Sequence, residues 1–316
     1  MVKKLWRYFF LLLCSVLLAY LVVRAARLER IIAHVARPSR LFSSKVIESR
    51  FSPKKEWNIK TSPQQERLLY VISQQTLRWL GRGMQSVVFE TQDEKYVVKF
   101  FQLGKLSEDI DQPTVKTRLL GRSPKKRQEL INRREELFSS SKMCFEDLQE
   151  ETGIIYVHLN RSRDRIHTLR LVDRYGQSHR IRGDETSFLV QKKARYLVPT
   201  ITSYMEEGQV DQAKARIDQV LNLLLALAEK GYVDNDDALI RNNNLGLTEE
   251  RAIYIDTGHL YRDKNLDVAA RMKYEFQVRL DPFEKWLRVA YPELAAHYQI
   301  RKELLLTSLN PTEKSQ

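Results

Sequence analysis

Carboxylates and amides crowd residues 230 to 260, KGYVDNDDALIRNNNLGLTEERAIYIDTGHL, between apolar runs that would otherwise only build a core. Asp234, Asp236 and Asp237 follow a long helical pattern. Asn242, Asn243 and Asn244 come a few residues later, and Asp256 closes the strand-like run Ala252-Ile253-Tyr254-Ile255. A loop and a strand end thus converge hard oxygen donors. Magnesium takes such ligands, usually one or two carboxylates with waters and substrate phosphates filling its octahedron, and Asn244 and Asp256 are a candidate pair. The same residue types also build turns, because their short side chains cap nearby backbone and tolerate left-handed conformations.

A second cluster lies upstream in LGRGMQSVVFETQDEKYVVKF. Gly81 and Gly83 stand between the strand patterns Thr76-Leu77-Arg78-Trp79-Leu80 and Val87-Val88-Phe89. Glycine lets backbone approach a polyphosphate, and main-chain amides supply hydrogen bonds to its oxygens. The next strand pattern, Tyr96-Val97-Val98-Lys99-Phe100, carries one cation that can point beneath the hairpin. As bare patterns, a G-x-G hairpin is also an ordinary turn and a strand lysine an ordinary solvated charge.

The surrounding elements must hold these residues. Lys126 to Gln149 has helix formers with apolar positions at 130, 131, 137, 138, 145 and 148, and Val210 to Lys230 repeats apolar residues at helical spacing until Gly231 stops it. Gly153 to Leu159, His167 to Val172, Ser178 to Ile181 and Ser187 to Gln191 read as strands. Residues 103 to 125 read as a basic, Pro-containing insertion.

With 316 residues and 43% hydrophobic content the chain has enough material for a core. The net charge of +13 is uneven, since residues 1 to 60 hold 13 Lys and Arg against Glu29, Glu48 and Glu56. Tyr8 to Val23, YFFLLLCSVLLAYLVV, is uncharged and bounded by Lys3, Lys4 and Arg7, so its length predicts a single membrane-spanning helix; a cleaved secretory signal is the competing reading, against which Arg24 and Arg27 crowd the place where small neutral residues should define cleavage. Arg24, Arg27, Arg30, Arg37 and Arg40 follow it and favour a cytoplasmic C-terminal side and contact with an anionic lipid surface. No aromatic-interleaved basic groove or nucleic-acid motif is present, which argues against a nucleic-acid partner. Two cysteines exclude a disulfide framework, and the six histidines lack paired metal spacing.

The order of these features resembles the protein-kinase-like superfamily. The glycine-rich signature GxGxxGxV is matched by Gly81, Gly83, Ser86 and Val88, with serine in place of the third glycine; the strand lysine by Val97-Val98-Lys99; and the DFG-type turn by Asp256-Thr257-Gly258. Asn244-Leu245-Gly246-Leu247 is similar to the apolar ending of the catalytic loop. Aligning on it makes Asp236 the catalytic aspartate, three residues further from the asparagine than usual. Asp237 with Asn242 keeps the usual spacing but misplaces the apolar pair. The His and Arg that normally precede the aspartate are replaced by Asp234 and Asn235.

The resemblance implies an α+β, two-lobed protein-kinase-like fold with a minimal C-lobe, preceded by the transmembrane helix. It also implies ATP and Mg2+ as cofactors: Lys99 on the phosphates, Gly81, Gly83, Ser86 and Val88 over the nucleotide, Asp236 at the acceptor hydroxyl, and Asn244 and Asp256 on magnesium. The helix glutamate that would pair with Lys99 is Glu135, Glu136 or Glu146. The expected divisions are an anchor at 1–25, a basic linker at 26–63, an N-lobe at 64–190, a C-lobe at 191–306 and a loose tail at 307–316. Only about 60 residues follow Asp256, too few for the peptide-binding helices of a regulated protein kinase, so the likeness is to the compact RIO and sugar or lipopolysaccharide kinases. The expected activity is membrane-anchored phosphotransfer to a hydroxyl of a sugar, a lipid-linked molecule or a protein. The alternative is a catalytically impaired pseudokinase serving as a membrane-tethered interaction module.

Overall fold

Apolar residues on both sides of the strands dictate a sheet covered on both faces. In the computed structural model, which describes residues 42–49, 51–103, 124–234, 236, 237, 239, 240 and 244–309, β1 (Thr76–Arg82), β2 (Ser86–Glu90) and β3 (Tyr96–Phe101) form an antiparallel meander. Further along the chain come β4 (Ile154–His158), β5 (Thr168–Val172), β6 (Ser178–Arg182) and β7 (Phe188–Lys192). They complete a seven-stranded sheet of order β4-β7-β3-β2-β1-β5-β6, in which only β1 and β5 run parallel.

One face of this sheet packs on α2 (Pro124–Asp147), which lies in sequence between β3 and β4, through Leu137, Phe138 and Phe145. The other face buries Phe89, Phe100, Phe188 and Tyr156 in an aromatic row beneath α1 (Pro63–Gln74), whose Leu69 and Ile72 point inward. A short α3 (Gln149–Thr152) ends at Gly153, whose φ of 66° is left-handed, and feeds β4.

The linker expected over 26–63 is corrected from residue 44 onward. Ile47, Phe51 and Trp57 are buried; Trp57 packs edge-on against Phe138 at 5.4 Å, and the Arg134 guanidinium sits 4.3 Å from the Phe51 ring centre. Arg, Ser and Pro between these large apolar residues disguise a segment that adheres to the domain. Helix α1 escapes the pattern reading as well, although Ser62 and Gln65 form a capping box with Pro63 at the first turn.

The rest of Ser44–Gln316, which forms one compact unit, is mainly helical. After β8 (Arg195–Tyr196) come α4 (Leu197–Glu206) and α5 (Val210–Glu229). Helix α5 buries Ala213, Ile217, Val220, Leu221, Leu224, Leu227 and Ala228, and Gly231, at φ 78°, reverses the chain after it. Four short strands follow: β9 (Tyr232–Asp234), β10 (Leu245–Leu247), β11 (Ala252–Tyr254) and β12 (Leu260–Arg262), pairing as β11-β10-β8 and β12-β9. Helix α6 (Val268–Tyr274), a π-helical turn Glu275–Arg279, α7 (Asp281–Ala290) and α8 (Pro292–Leu309) close the unit. Pro292 opens α8 at a first turn, and that helix extends into the expected tail. The architecture is α+β, a large mixed sheet with a helical part after it, and the long helix between third and fourth strands stands where the protein-kinase-like resemblance implies it.

The expected anchor at 1–25 and the start of the linker lie outside the described residues, as does the tail beyond 309. Among the described residues no helix is long and apolar enough to cross a membrane.

Candidate active site

The β1–β2 turn is braced from beneath. Gly83 N donates to Ser86 O (2.9 Å), and Gln102 Nε2 donates to Gly83 O (2.7 Å) and Ser86 O (3.3 Å) while its Oε1 accepts from Arg82 Nε (2.8 Å). Neither Gly81 nor Gly83 has a left-handed φ. A Cβ on Gly81 would meet nothing within 4 Å, and one on Gly83 would come no nearer than 3.9 Å to Ser86 O. The fold itself therefore does not demand glycine here. What the missing side chains preserve is backbone access from the cleft below.

Lys99 reaches into that cleft from β3. Its Nζ donates to the Ile255 carbonyl oxygen (2.7 Å), one residue before Asp256. Burial pushes the ammonium down to about 8, against the opposing pull of the Asp256 charge. The expected glutamate partner is corrected: Glu135 binds Lys54 (2.8 Å) and Arg134 (3.0 Å), Glu146 lies 3.8 Å from Lys142, and Glu136 is exposed with no ion pair among the described residues. The cause is helical phase. Leu137 and Ser141, four residues apart, are the α2 positions that line the cleft, and each residue's step of about 100° turns the acids away from it. Ser140 Oγ donates instead to the Thr257 carbonyl, tying α2 to the Asp256-Thr257-Gly258 turn.

The loop after β9 separates its three aspartates by environment. Asp234 is buried, and its carboxylate accepts from the Tyr254 hydroxyl and from Arg279 Nη2 (3.2 Å). Arg279 Nε donates to Asp236 O (2.9 Å) and its Nη1 to Glu275 (2.7 Å), while Arg271 Nη2 holds both Asp234 O (3.0 Å) and Glu275 (2.6 Å). Two arginines around the π-helical turn thus grip the loop from below. Asp237 is exposed and engaged by the Tyr274 hydroxyl. Asp236 accepts from Asn244 Nδ2 (2.9 Å), so the pair chosen by aligning on the apolar ending is joined directly. Asn242 lies outside the described residues.

Asn244 is almost wholly buried, at 2% exposure, and its backbone carbonyl accepts from Ile255 N (2.7 Å). That bond seats it beside the strand that delivers Asp256. The Asp256 carboxylate is exposed, with Oδ1 accepting from Gly258 N (3.3 Å). The hairpin tip folds over this turn: a Cβ on Gly258 would stand 2.2 Å from Gln85 Oε1. Gln191, buried at the end of β7, donates to Thr152 O (2.6 Å), Tyr254 O and Ile255 O (both 3.3 Å), pinning sheet to loop.

These elements enclose a cleft of about 830 Å³, within the range of small-molecule sites. Gly81, Gly83, Ser86, Val88, Lys99, Asn244 and Asp256 all line it. Leu80, Val97 and Leu189 add apolar wall, and Lys193 to Arg195 form the connection between the lobes. Asp236 stands beside the lining, linked to it through Asn244. Gln102, Gln191, Arg271 and Arg279 escape motif reading, because each acts through main-chain oxygens remote in sequence. Among the described residues no group of three or more His, Cys, Asp or Glu could hold a metal ion. A carboxylate and an amide that line one cleft still suit magnesium, which commonly takes only one or two protein ligands.

No protein-family model and no curated protein matches the chain. Among solved structures it is similar to the bifunctional kinase-methyltransferase WbdD, at 15% identity and a TM-score of 0.35 over 71% of this chain and 46% of that one. Monomeric WbdD gives 17% identity and 0.35 over 70% and 48%. Rio2 kinase from Chaetomium thermophilum, solved as an ADP/Mg2+-phosphoaspartate complex, gives 14% and 0.34 over 91% and 79%. The chain spans about half the length of the WbdD chains it matches. At such TM-scores these likenesses carry no part of the functional reading, which rests on topology and geometry.

Proposed function

We propose that the chain is an ATP- and Mg2+-dependent phosphotransferase acting on a hydroxyl. The supporting observation is the meeting of Lys99, Asn244 and Asp256 in one cleft under a glycine hairpin, with Asp236 held by the Asn244 amide. Lys99 binds the nucleotide phosphates as a cation, and the main-chain amides of the 81–86 turn cover them. Asn244 Oδ1 and the Asp256 carboxylate would hold the magnesium ion. The bound ion would neutralise charge on the phosphates. Asp236, oriented by Asn244, accepts the acceptor hydroxyl's proton as its oxygen forms the new bond to phosphorus, and the nucleoside diphosphate leaves. Nearly all of this is positioning and electrostatics.

A second reading, a scaffold without turnover, draws on the absence of a glutamate at Lys99 among the described residues and the Lys99 bond to the Ile255 carbonyl. Thermal stabilisation of the purified protein by ATP with and without Mg2+, followed by ATP turnover, decides between them. Mg2+-dependent stabilisation with turnover abolished by Asp256→Asn supports the enzyme. Nucleotide binding without turnover supports the scaffold, and no binding defeats the nucleotide site.

We also propose that Tyr8 to Val23 anchors the chain in a membrane with the lobes on the cytoplasmic side, where ATP is available. Protease added outside intact spheroplasts should leave residues after 60 uncut; digestion there overturns the topology.

A further inference from the structure

The arginines of β1, β5 and β6 lie on one face. In the antiparallel β5–β6 hairpin Arg170 stands directly opposite Arg180, and Thr168 opposite Arg182. The parallel β1–β5 pairing places Thr76 beside Arg170 and Arg78 beside Val172. Registered partners share a face, so Arg78, Arg170, Arg180 and Arg182 project to the same side of the sheet, and all four are exposed. The ladder continues inward from Arg78 to Glu90 and from Glu90 to Val97, a residue of the cleft wall. The arginine face is thus the lateral continuation of the face that carries Lys99.

Its charge is poorly compensated. Directly opposed like charges sit about 5 Å apart at Cβ and oppose sheet formation. Arg170 donates to the Gln74 carbonyl (2.6 Å) and Arg182 pairs with Glu185 (3.0 Å), but Arg78 and Arg180 make no ion pair with a described residue. The nearest acid in register, Glu90, is taken by Lys193 (2.7 Å). An external anionic surface would relieve this concentration.

The incoming chain points to which surface. Ser49 N donates to Glu185 O (2.7 Å) and Glu48 bridges to Thr186, so the domain's N-terminal end arrives three to four residues from Arg182. Upstream, about 20 residues bearing Arg24, Arg27, Arg30, Arg37 and Arg40 separate Ser44 from the apolar run, a tether of up to roughly 70 Å when extended.

We propose that the arginine face of β1, β5 and β6 docks on the anionic lipid headgroups of the membrane in which the N-terminal run is anchored, turning the cleft side of the sheet toward the bilayer. The phosphotransferase thereby meets its acceptor at the lipid surface. This rests on the anchor but not on turnover.

The test uses the full chain with Cys14→Ser and Thr168→Cys, a polarity-sensitive fluorophore on residue 168, in nanodiscs of phosphatidylcholine with or without phosphatidylglycerol. Docking predicts a blue shift only in the anionic discs, reversed by salt, with the docked-to-free ratio falling about fivefold per arginine in Arg78→Gln and Arg180→Gln. Those two side chains make no ion pair with a described residue, so folding is expected to survive, and circular dichroism confirms it. Identical spectra in neutral and anionic discs overturn the proposal. A larger shift with added single-stranded RNA in neutral discs overturns it in favour of a nucleic-acid face. Failure of the chain to enter neutral discs defeats the anchor instead, and flotation on anionic vesicles then decides the docking face separately.

Discussion

Lys99 is the residue whose titration separates a phosphate-binding cation from an ordinary surface charge. Burial depresses its pKa from 10.5 to about 8, with Asp256 pulling the other way. In the free protein about nine in ten Lys99 side chains are cationic at pH 7 and about one in ten at pH 9. If bound phosphate requires the cation, metal-free nucleotide affinity should fall by up to about tenfold per pH unit above 8, until the pKa of the bound state is passed. Asp256→Asn, which removes the charge that supports the ammonium, should start that decline at lower pH.

The same shift bears on stability. The folded pKa lies below the unfolded one, so the cost of burying the ammonium is fully present below pH 8 and disappears as pH rises from 8 to 10.5. The depression corresponds to about 3 kcal/mol, and the hydrogen bond to Ile255 O returns roughly 2 kcal/mol of it. Lys99→Met should therefore bind nucleotide weakly and without pH dependence, while stabilising the fold at neutral pH by on the order of 1 kcal/mol. Calorimetric titration between pH 7.5 and 9.5 and urea unfolding at pH 7 measure both effects. A wild-type affinity that is flat over this window, or an equal slope in Lys99→Met, refutes the reasoning.

Arg279→Met removes four hydrogen bonds, to Asp234, Asp236 O, Tyr254 and Glu275, and leaves the Asp234 carboxylate buried with only the Tyr254 hydroxyl and the Asp236 main-chain N–H donating to it. Unfolding measurements should show a loss of about 3–5 kcal/mol. His158 is buried against the Thr186 carbonyl (2.7 Å) and held down to about 4, so its folded pKa lies below its unfolded value of 6.5. Its contribution is present at neutral pH and should fade by up to about 3 kcal/mol as pH drops from 6.5 to 4, flattening in His158→Gln under acid titration by circular dichroism. Gly246→Ala would put a Cβ 2.5 Å from Ile255 Cδ1 and 2.7 Å from Ala194 Cβ. It should cost about 1–3 kcal/mol in urea unfolding and be partly rescued by Ile255→Ala.

Side-chain types in sequence order were enough to pick out the glycine hairpin, Lys99, Asn244 and Asp256, because each sits in a local pattern whose length is set by strand and loop geometry. Periodicity likewise gave α5 and the seven strands of the large sheet, since their burial is one-sided or continuous over short runs, but not the two- and three-residue strands β8, β9, β10 and β12. It failed at residues 44–74, where widely spaced Ile47, Phe51 and Trp57 are buried, the last two against α2, and where a capping box with Pro63 at the first turn was the local sign of α1.

Sequence alone thus determined which chemistry-bearing residues exist and roughly which elements carry them. Tertiary structure decided their partners. Asp236 and Asp237 are adjacent and chemically identical, yet one meets the Asn244 amide and the other the Tyr274 hydroxyl. Asp234 became a buried anchor because Tyr254, 20 positions later, and Arg279, 45 positions later, reach its carboxylate. The phase of α2 turned Leu137 and Ser141, not the glutamates, toward Lys99. In each case the deciding interaction joins residues far apart in the chain, and its energy depends on burial and distance, which exist only after the backbone has folded.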